Sequence, residues 1–177
     1  FQIDAEELLI DIGSNDGNLL SNFKNKCKIL GVTPEDIGKI AIDRGIPTIL
    51  NYFSKELSSD IVKEHGKAKI ITATNVFAHI DNVDEIIYAI KNLIKDDGIF
   101  ISESHYLKTL VEQIQYDTIY HEHLKYYSLK SIIILLKKYR LKVFHAERIS
   151  NYGGSIRVYV TSLDNKNIIK SYMPERD

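Results

Sequence analysis

Between Tyr116 and Ser128 the chain reads Tyr-Asp-Thr-Ile-Tyr-His-Glu-His-Leu-Lys-Tyr-Tyr-Ser, so that His121, His123, Glu122 and several phenols share one short segment. Histidine is the side chain whose unperturbed pKa lies nearest neutrality, and an imidazole here takes and returns a proton at working pH. A carboxylate such as Glu122 holds a neighbouring imidazole in one tautomer, and a phenol such as Tyr120 donates to an oxygen on which charge develops. Together these residues suit the removal of a proton next to a carbonyl. Two other readings use the same residues. His121 and His123 share one face of an extended segment and could bind a metal, although no third ligand at suitable spacing is evident in the sequence. The segment could also be an ordinary polar and aromatic loop.

A second constellation runs from Leu8 to Gly17, where an apolar run stops in a small, polar turn with glycine at both ends. The run reads as a buried parallel strand. Gly13 and Gly17 permit positive φ, and the turn brings main-chain N–H groups to a bound molecule. The dinucleotide fingerprint Gly-x-Gly-x-x-Gly would need glycines where Asn15 and Asn18 stand, which argues against a nicotinamide dehydrogenase. Glycines four apart, with Asp11 ahead of them, suit S-adenosylmethionine better. Asp11 could instead order the turn by accepting backbone N–H bonds.

These loops need elements to hold them. Strands are expected at Leu8–Gly13, Lys28–Val32, Ile46–Phe53, Lys69–Ala73 and Ile99–Ser102, with helices at Leu19–Lys26, Glu35–Arg44, Ser54–Glu64 and Val83–Ile94. Gly45, His65-Gly66 and Asp97-Gly98 act as stops. A helix at Ser128–Tyr139 precedes Leu141–Ile149 and Ser155–Ser162, a hairpin around Asn151–Gly154. The alternation predicts an α/β fold: a doubly wound, mostly parallel seven-stranded sheet with an antiparallel C-terminal hairpin. Ligands of such sheets lie beyond the carboxyl ends of the strands. That rim comprises residues 13–18, 33–36, 51–54, 74–81 and 103–123. Glu103, His105 and Tyr106 fall on it as candidate substrate contacts, with a purely structural role as the alternative. His65 and His145 have no expected chemistry.

Composition narrows the classes. The 177 residues fit one domain, and 23 Lys and Arg against 24 Asp and Glu give a net charge of -1, which favours neither nucleic acid nor a membrane surface. Cys27 is the only cysteine, so no disulfide framework or multi-cysteine zinc site lies within the chain. No apolar run is long enough to cross a bilayer, and the acidic start is unlike a signal peptide; the cytoplasm is the expected compartment. Oligomeric state is not legible.

Four motifs, in order, resemble those of the S-adenosylmethionine-dependent nucleotide-sugar C-methyltransferases: Asp11-Ile-Gly-Ser-Asn-Asp-Gly17, Asn75-Val-Phe-Ala-His79-Ile80, Tyr120-His-Glu-His123 with Tyr126-Tyr127-Ser128, and Gly153-Gly154-Ser155. The resemblance runs from about Leu8 to Val160. It implies a class I methyltransferase, Rossmann-like fold with S-adenosylmethionine as cofactor. Asp11, Gly13, Ser14, Asn15 and Gly17 would hold the cofactor's methionine and ribose, with Asn75, Val76 and His79 lining its pocket. His123 would be the base that takes the proton α to the ketone of a nucleotide-linked keto-deoxysugar, oriented by Tyr120 and Glu122 or with those two stabilising the enolate. Gly154 and Ser155 would touch substrate. The reaction needs no metal.

The chain departs from the family pattern in two respects. Thr33 stands where the family has an acid that grips the ribose hydroxyls, which turns attention to Glu35 or Asp36, and Thr74-Asn75-Val76 replaces Asn-Asn-Val. The small zinc module that precedes the cofactor domain in the family, and the further domain behind it, are not in this sequence. The expectation is one cofactor domain over residues 1–177, the centre of a longer protein or a shortened paralogue. A domain that binds cofactor weakly and serves as a partner surface is the alternative function.

Overall fold

The computed structural model describes residues 3–168. Strands β1 (Leu8–Ile12), β2 (Lys28–Thr33), β3 (Thr48–Leu50), β4 (Ala68–Thr74), β5 (Ile94–His105), β6 (Leu141–Ile149) and β7 (Ser155–Ser162) form one sheet in the order β3-β2-β1-β4-β5-β7-β6. The first five are parallel, and β7 runs antiparallel between β5 and β6. The expected mostly parallel seven-stranded sheet with its terminal hairpin is therefore present. Winding reverses between β1 and β4, so the cleft of a doubly wound sheet opens at their carboxyl ends.

The apolar pattern of β1 explains how both faces are covered. Leu8, Ile10 and Ile12 join a large core with helices α3 (Lys55–His65), α4 (Val83–Leu93) and α6 (Leu129–Lys137). Leu9 faces the opposite side, with Leu20 of α1 (Asn18–Ser21) and Ala41 of α2 (Gly38–Asp43). Helix starts follow their capping residues: the side chains of Ser54, Asn82 and Ser128 accept from Leu57, Glu85 and Ser131 backbone N–H groups.

Four local expectations need correction, the first being that α1 stops at Ser21 instead of Lys26. The second helix begins at Gly38 instead of Glu35, because Pro34, Glu35 and Asp36 are taken up by turns in which the N–H groups of Gly38 and Lys39 reach the carbonyls of Glu35 and Asp36. The third strand has three residues, at the sheet edge where only β2 is available to pair. The stretch 103–123 is not one loop: β5 continues to His105, and α5 (Leu107–Glu112) and a single 3-10 turn at Tyr116–Thr118 follow. Among the described residues no helix is long and apolar enough to cross a membrane.

Candidate functional site

Two adjoining cavities open where β1, β4 and β5 end. The larger, about 590 Å³, is walled by Ile12, Gly13 and Asn15 after β1, Val32, Pro34 and Glu35 after β2, Tyr52 and Phe53 after β3, Thr74 to Val76 and His79 to Asp81 after β4, Ile86 of α4, and Tyr152. The smaller, about 180 Å³, is lined by Asn75, Ala78, His79, Ser104, His105, Tyr120, His123 and Tyr152. Asn75, His79 and Tyr152 belong to both walls, so a molecule in one cavity lies against a molecule in the other.

The turn after β1 works by close approach. Gly13 has φ 77°, and a Cβ there would lie 2.5 Å from Val76 Cγ2, so the loops after β1 and β4 meet only because residue 13 has no side chain. The N–H groups of Gly13 and Ser14 donate to the Val32 carbonyl, and that of Gly17 to the Ser14 carbonyl. These three donors are spent inside the fold, which corrects the expectation that they face a ligand. Asn15 and Asn75 also take positive φ, 48° and 56°. Asparagine tolerates that conformation better than most residues, and the backbone turns both residues into the cleft wall.

Of the expected cofactor residues, Gly13, Asn15, Glu35, Asn75, Val76 and His79 line the large cavity, while Asp11, Ser14, Gly17 and Thr33 stand behind it. Asp11 is buried and accepts a 2.6 Å hydrogen bond from the Thr72 hydroxyl, a brace between β1 and β4. Burial pushes its carboxyl up to about 6, against the opposing effect of Thr72. The hydroxyls of Ser14 and Thr33 are buried without partners, and Ser14 packs over Gly31. Thr33 therefore does not face the cleft, whose wall carries the carboxylates of Glu35 and Asp81.

The box between Tyr116 and Ser128 is tied down from below. Leu124 N–H donates to the Ala78 carbonyl, and Lys125 Nζ to the carbonyls of Ile80 and Asp81. His123 is buried in this segment, with Nδ1 2.9 Å from the Thr118 carbonyl and Nε2 3.1 Å from the Tyr120 hydroxyl. A carbonyl only accepts, so in the neutral ring Nδ1 carries the hydrogen and Nε2 keeps the lone pair. His79 is fixed the same way, Nδ1 to the Glu122 carbonyl at 3.0 Å. The ring centroids of His79 and His105 each lie 5.1 Å from that of His123. Burial first, then the charges of His123 and His79, hold His105 below the usual imidazole value.

Glu122 enters this arrangement through its backbone. Its carboxylate is exposed, 4.0 Å from exposed His121, and does not reach His123, contrary to the orienting contact expected of it. Among the described residues no group of three or more His, Cys, Asp or Glu side chains is arranged to hold a metal.

The expected substrate residues divide. His105 lines the small cavity. Glu103 is buried, held by Arg157 Nε and Nη2 at 3.1 and 3.0 Å and by Asn151 Nδ2 at 3.2 Å. Tyr106 is wholly buried with the Arg148 guanidinium over its ring, so it packs the fold and cannot touch a ligand. Gly154 accepts from Tyr106 N–H and packs on Thr109, and buried Ser155 donates to the Asn151 carbonyl. Both shape the hairpin turn without lining a cavity. The side chain that does is Tyr152, held at φ 51° and 67% exposed, which the sequence offered only as part of a turn. Tyr52 and Phe53 are likewise missed as wall residues, although the loop that carries them was expected on the rim.

A sequence family described as a methyltransferase domain matches residues 2–146. The C-methyltransferase NovU of Streptomyces niveus is 35% identical over 155 residues, which cover 86% of this chain and 37% of that protein. The chain thus spans little more than a third of the length of this relative. Among solved structures, an S-adenosylmethionine-dependent methyltransferase from Clostridium acetobutylicum superposes with a TM-score of 0.64 at 16% identity, covering 88% of this chain and 84% of that one. Magnesium protoporphyrin IX methyltransferase from Synechocystis, solved with bound SAH, gives 0.65 at 12% identity over 89% and 75%. The YcgJ protein of Bacillus subtilis gives 0.66 at 13% identity over 90% and 93%. At these identities the superpositions speak for the fold.

Proposed function

The chain belongs to the methyltransferase domain family, and on that premise we propose that it moves the methyl group of S-adenosylmethionine to the carbon next to the ketone of a nucleotide-linked deoxysugar. The observation that carries this reading is the junction of the two cavities, with the His123 Nε2 lone pair at the wall of the smaller one.

The large cavity suits the methyl donor. Its volume is that of an ordinary cofactor site. Asn75 Oδ1 is buried there with no protein partner, an acceptor left for a ligand donor. Tyr52, Phe53 and Ile86 offer apolar surface to a base, and Glu35 offers a carboxylate to ribose hydroxyls in place of Thr33. When bound, S-adenosylmethionine supplies a methyl made electrophilic by its sulfonium. The chain's own work is to deprotonate and align.

The small cavity has imidazoles, phenols, an amide and a hydroxyl on its walls and no carboxylate, lysine or arginine. That lining favours an uncharged, hydrogen-bonding ring, such as a keto-sugar, over a phosphate. His123 takes the proton on the carbon beside the ketone at Nε2 once the Tyr120 hydroxyl has rotated off that lone pair, while the Thr118 carbonyl fixes the tautomer. As the carbon–hydrogen pair becomes the enolate double bond, the carbonyl pair moves to oxygen. The nucleophilic carbon then faces the large cavity across Asn75 and Tyr152. We expect His123→Asn to bind S-adenosylhomocysteine as wild type does and to transfer no methyl. Wild-type transfer by that variant, followed by mass spectrometry of the sugar nucleotide, would remove His123 from the reaction.

A second reading, a weak cofactor-binding domain that serves as a partner surface, is favoured by one observation. Val111, Ile114, Tyr116 and Ile119 are each more than two-thirds exposed and line one apolar groove. Methyl transfer by the purified chain decides against it.

A further inference from the structure

The proposed reaction needs a hydrogen-bond donor for the oxygen on which charge collects, and the three imidazoles of the small cavity are not equally placed to supply it. In the neutral rings of His79 and His123 the single hydrogen sits on Nδ1 and is donated to the carbonyls of Glu122 and Thr118, which leaves each ring only a lone pair on the other side. His105 differs. It stands at the end of β5, its backbone register fixed by Ser155 of β7, and its half-buried imidazole has no hydrogen-bond partner among the described residues. Its ring lies 5.1 Å from His123 and 5.9 Å from Tyr152, in the wall of the small cavity.

We propose that His105 is a catalytic residue, donating its imidazole N–H to the carbonyl oxygen of the acceptor while His123 takes the proton from the adjacent carbon. This rests on the reading given above. Two imidazoles at that separation reach neighbouring atoms of one small ring, a C–H and the oxygen beside it. The donor is neutral, because burial and the two neighbouring imidazoles disfavour a second proton. A neutral imidazole polarises a carbonyl without surrendering its proton, and it puts no second cation beside the imidazolium that His123 becomes. The proton ends on His123, the electron pair on oxygen, and His105 returns unchanged.

The test separates deprotonation from methyl transfer. The protein is saturated with S-adenosylhomocysteine, which carries no methyl to give, and incubated in deuterated water with a thymidine-diphosphate-linked keto-deoxyhexose. Proton NMR then follows loss of the signal from the hydrogen beside the ketone. Wild type exchanges it and His123→Asn does not. His105→Leu slows exchange by about 10²–10³-fold, the usual loss on removing one oxyanion donor, while calorimetry finds its S-adenosylhomocysteine binding unchanged. His105→Gln, which keeps an N–H at similar reach, recovers most of the rate. Wild-type exchange in His105→Leu, or a Gln variant as slow as Leu, overturns the role of His105 alone. A wild-type protein that binds S-adenosylhomocysteine but exchanges nothing overturns the keto-sugar reading, and this inference with it.

Discussion

Asp11 ends β1 with its carboxyl buried, held by the Thr72 hydroxyl and raised to about 6. The unfolded chain has the ordinary value near 3.9, so between about pH 4 and 6 the folded chain holds the extra proton. Stability therefore falls as pH rises through that window, and above it the ionised group costs about 3 kcal/mol. Asp11→Asn is expected to raise the unfolding free energy at pH 8 by up to about 3 kcal/mol, with the gain closing near pH 4, as read by urea unfolding at the two values. Gly13→Ala forces a left-handed backbone onto an L residue and drives its Cβ into Val76. That costs at least about 1–2 kcal/mol in thermal unfolding and closes part of the cleft, whereas Gly66→Ala, whose Cβ meets nothing within 4 Å, incurs the backbone cost alone. Glu35→Ala removes the carboxylate expected at the ribose. At about 1.5–3 kcal/mol for a charged hydrogen bond, S-adenosylhomocysteine binding should weaken by roughly 10- to 100-fold. Thr33→Ala, which alters a buried hydroxyl behind the wall, should leave affinity near wild type.

Between elements, the hairpin tip is joined to β5 by the Glu103 carboxylate, which Arg157 and Asn151 share. Arg157 also reaches Glu147, which accepts from the Tyr159 hydroxyl. Removing one partner of a buried pair strands the other. Because Arg157 is one-third exposed, Glu103→Ala should cost about 2–3 kcal/mol in denaturant unfolding, less than for a fully buried pair. It should also loosen Tyr152, next to Asn151, so that acceptor binding suffers before cofactor binding. Strong periodic or apolar signals made the long elements legible, as in α4 with Ile86, Ile87, Ile90 and Leu93 and in the apolar run of β1. What sequence hid was short or tertiary in origin. The six residues of α5 carry Leu107 and Val111 toward solvent, so they show no inward stripe. Tyr152 becomes a wall residue only because β7 brings the turn back beside β5. Thr33 was expected at the cleft because it stands where the family has an acid, but its side chain is buried and packs its methyl on Gly38.

At the scale of the whole molecule, the strand order puts the reversal of winding between β1 and β4, and the antiparallel β7 carries Tyr152 over the rim from the far side. The sheet thus gathers residues from Gly13 to Tyr152 around two joined cavities, one of about 590 Å³ and one of about 180 Å³ lined by imidazoles, phenols, an amide and a hydroxyl. The first of these is open to test without knowing the acceptor. Calorimetric titration of the purified chain with S-adenosylmethionine, S-adenosylhomocysteine and NAD is that test. We expect saturable one-to-one binding of the first two, weakened in Glu35→Ala, and none of NAD. Binding of neither sulfur compound, or binding that Glu35→Ala leaves untouched, would contradict the assignment of the large cavity.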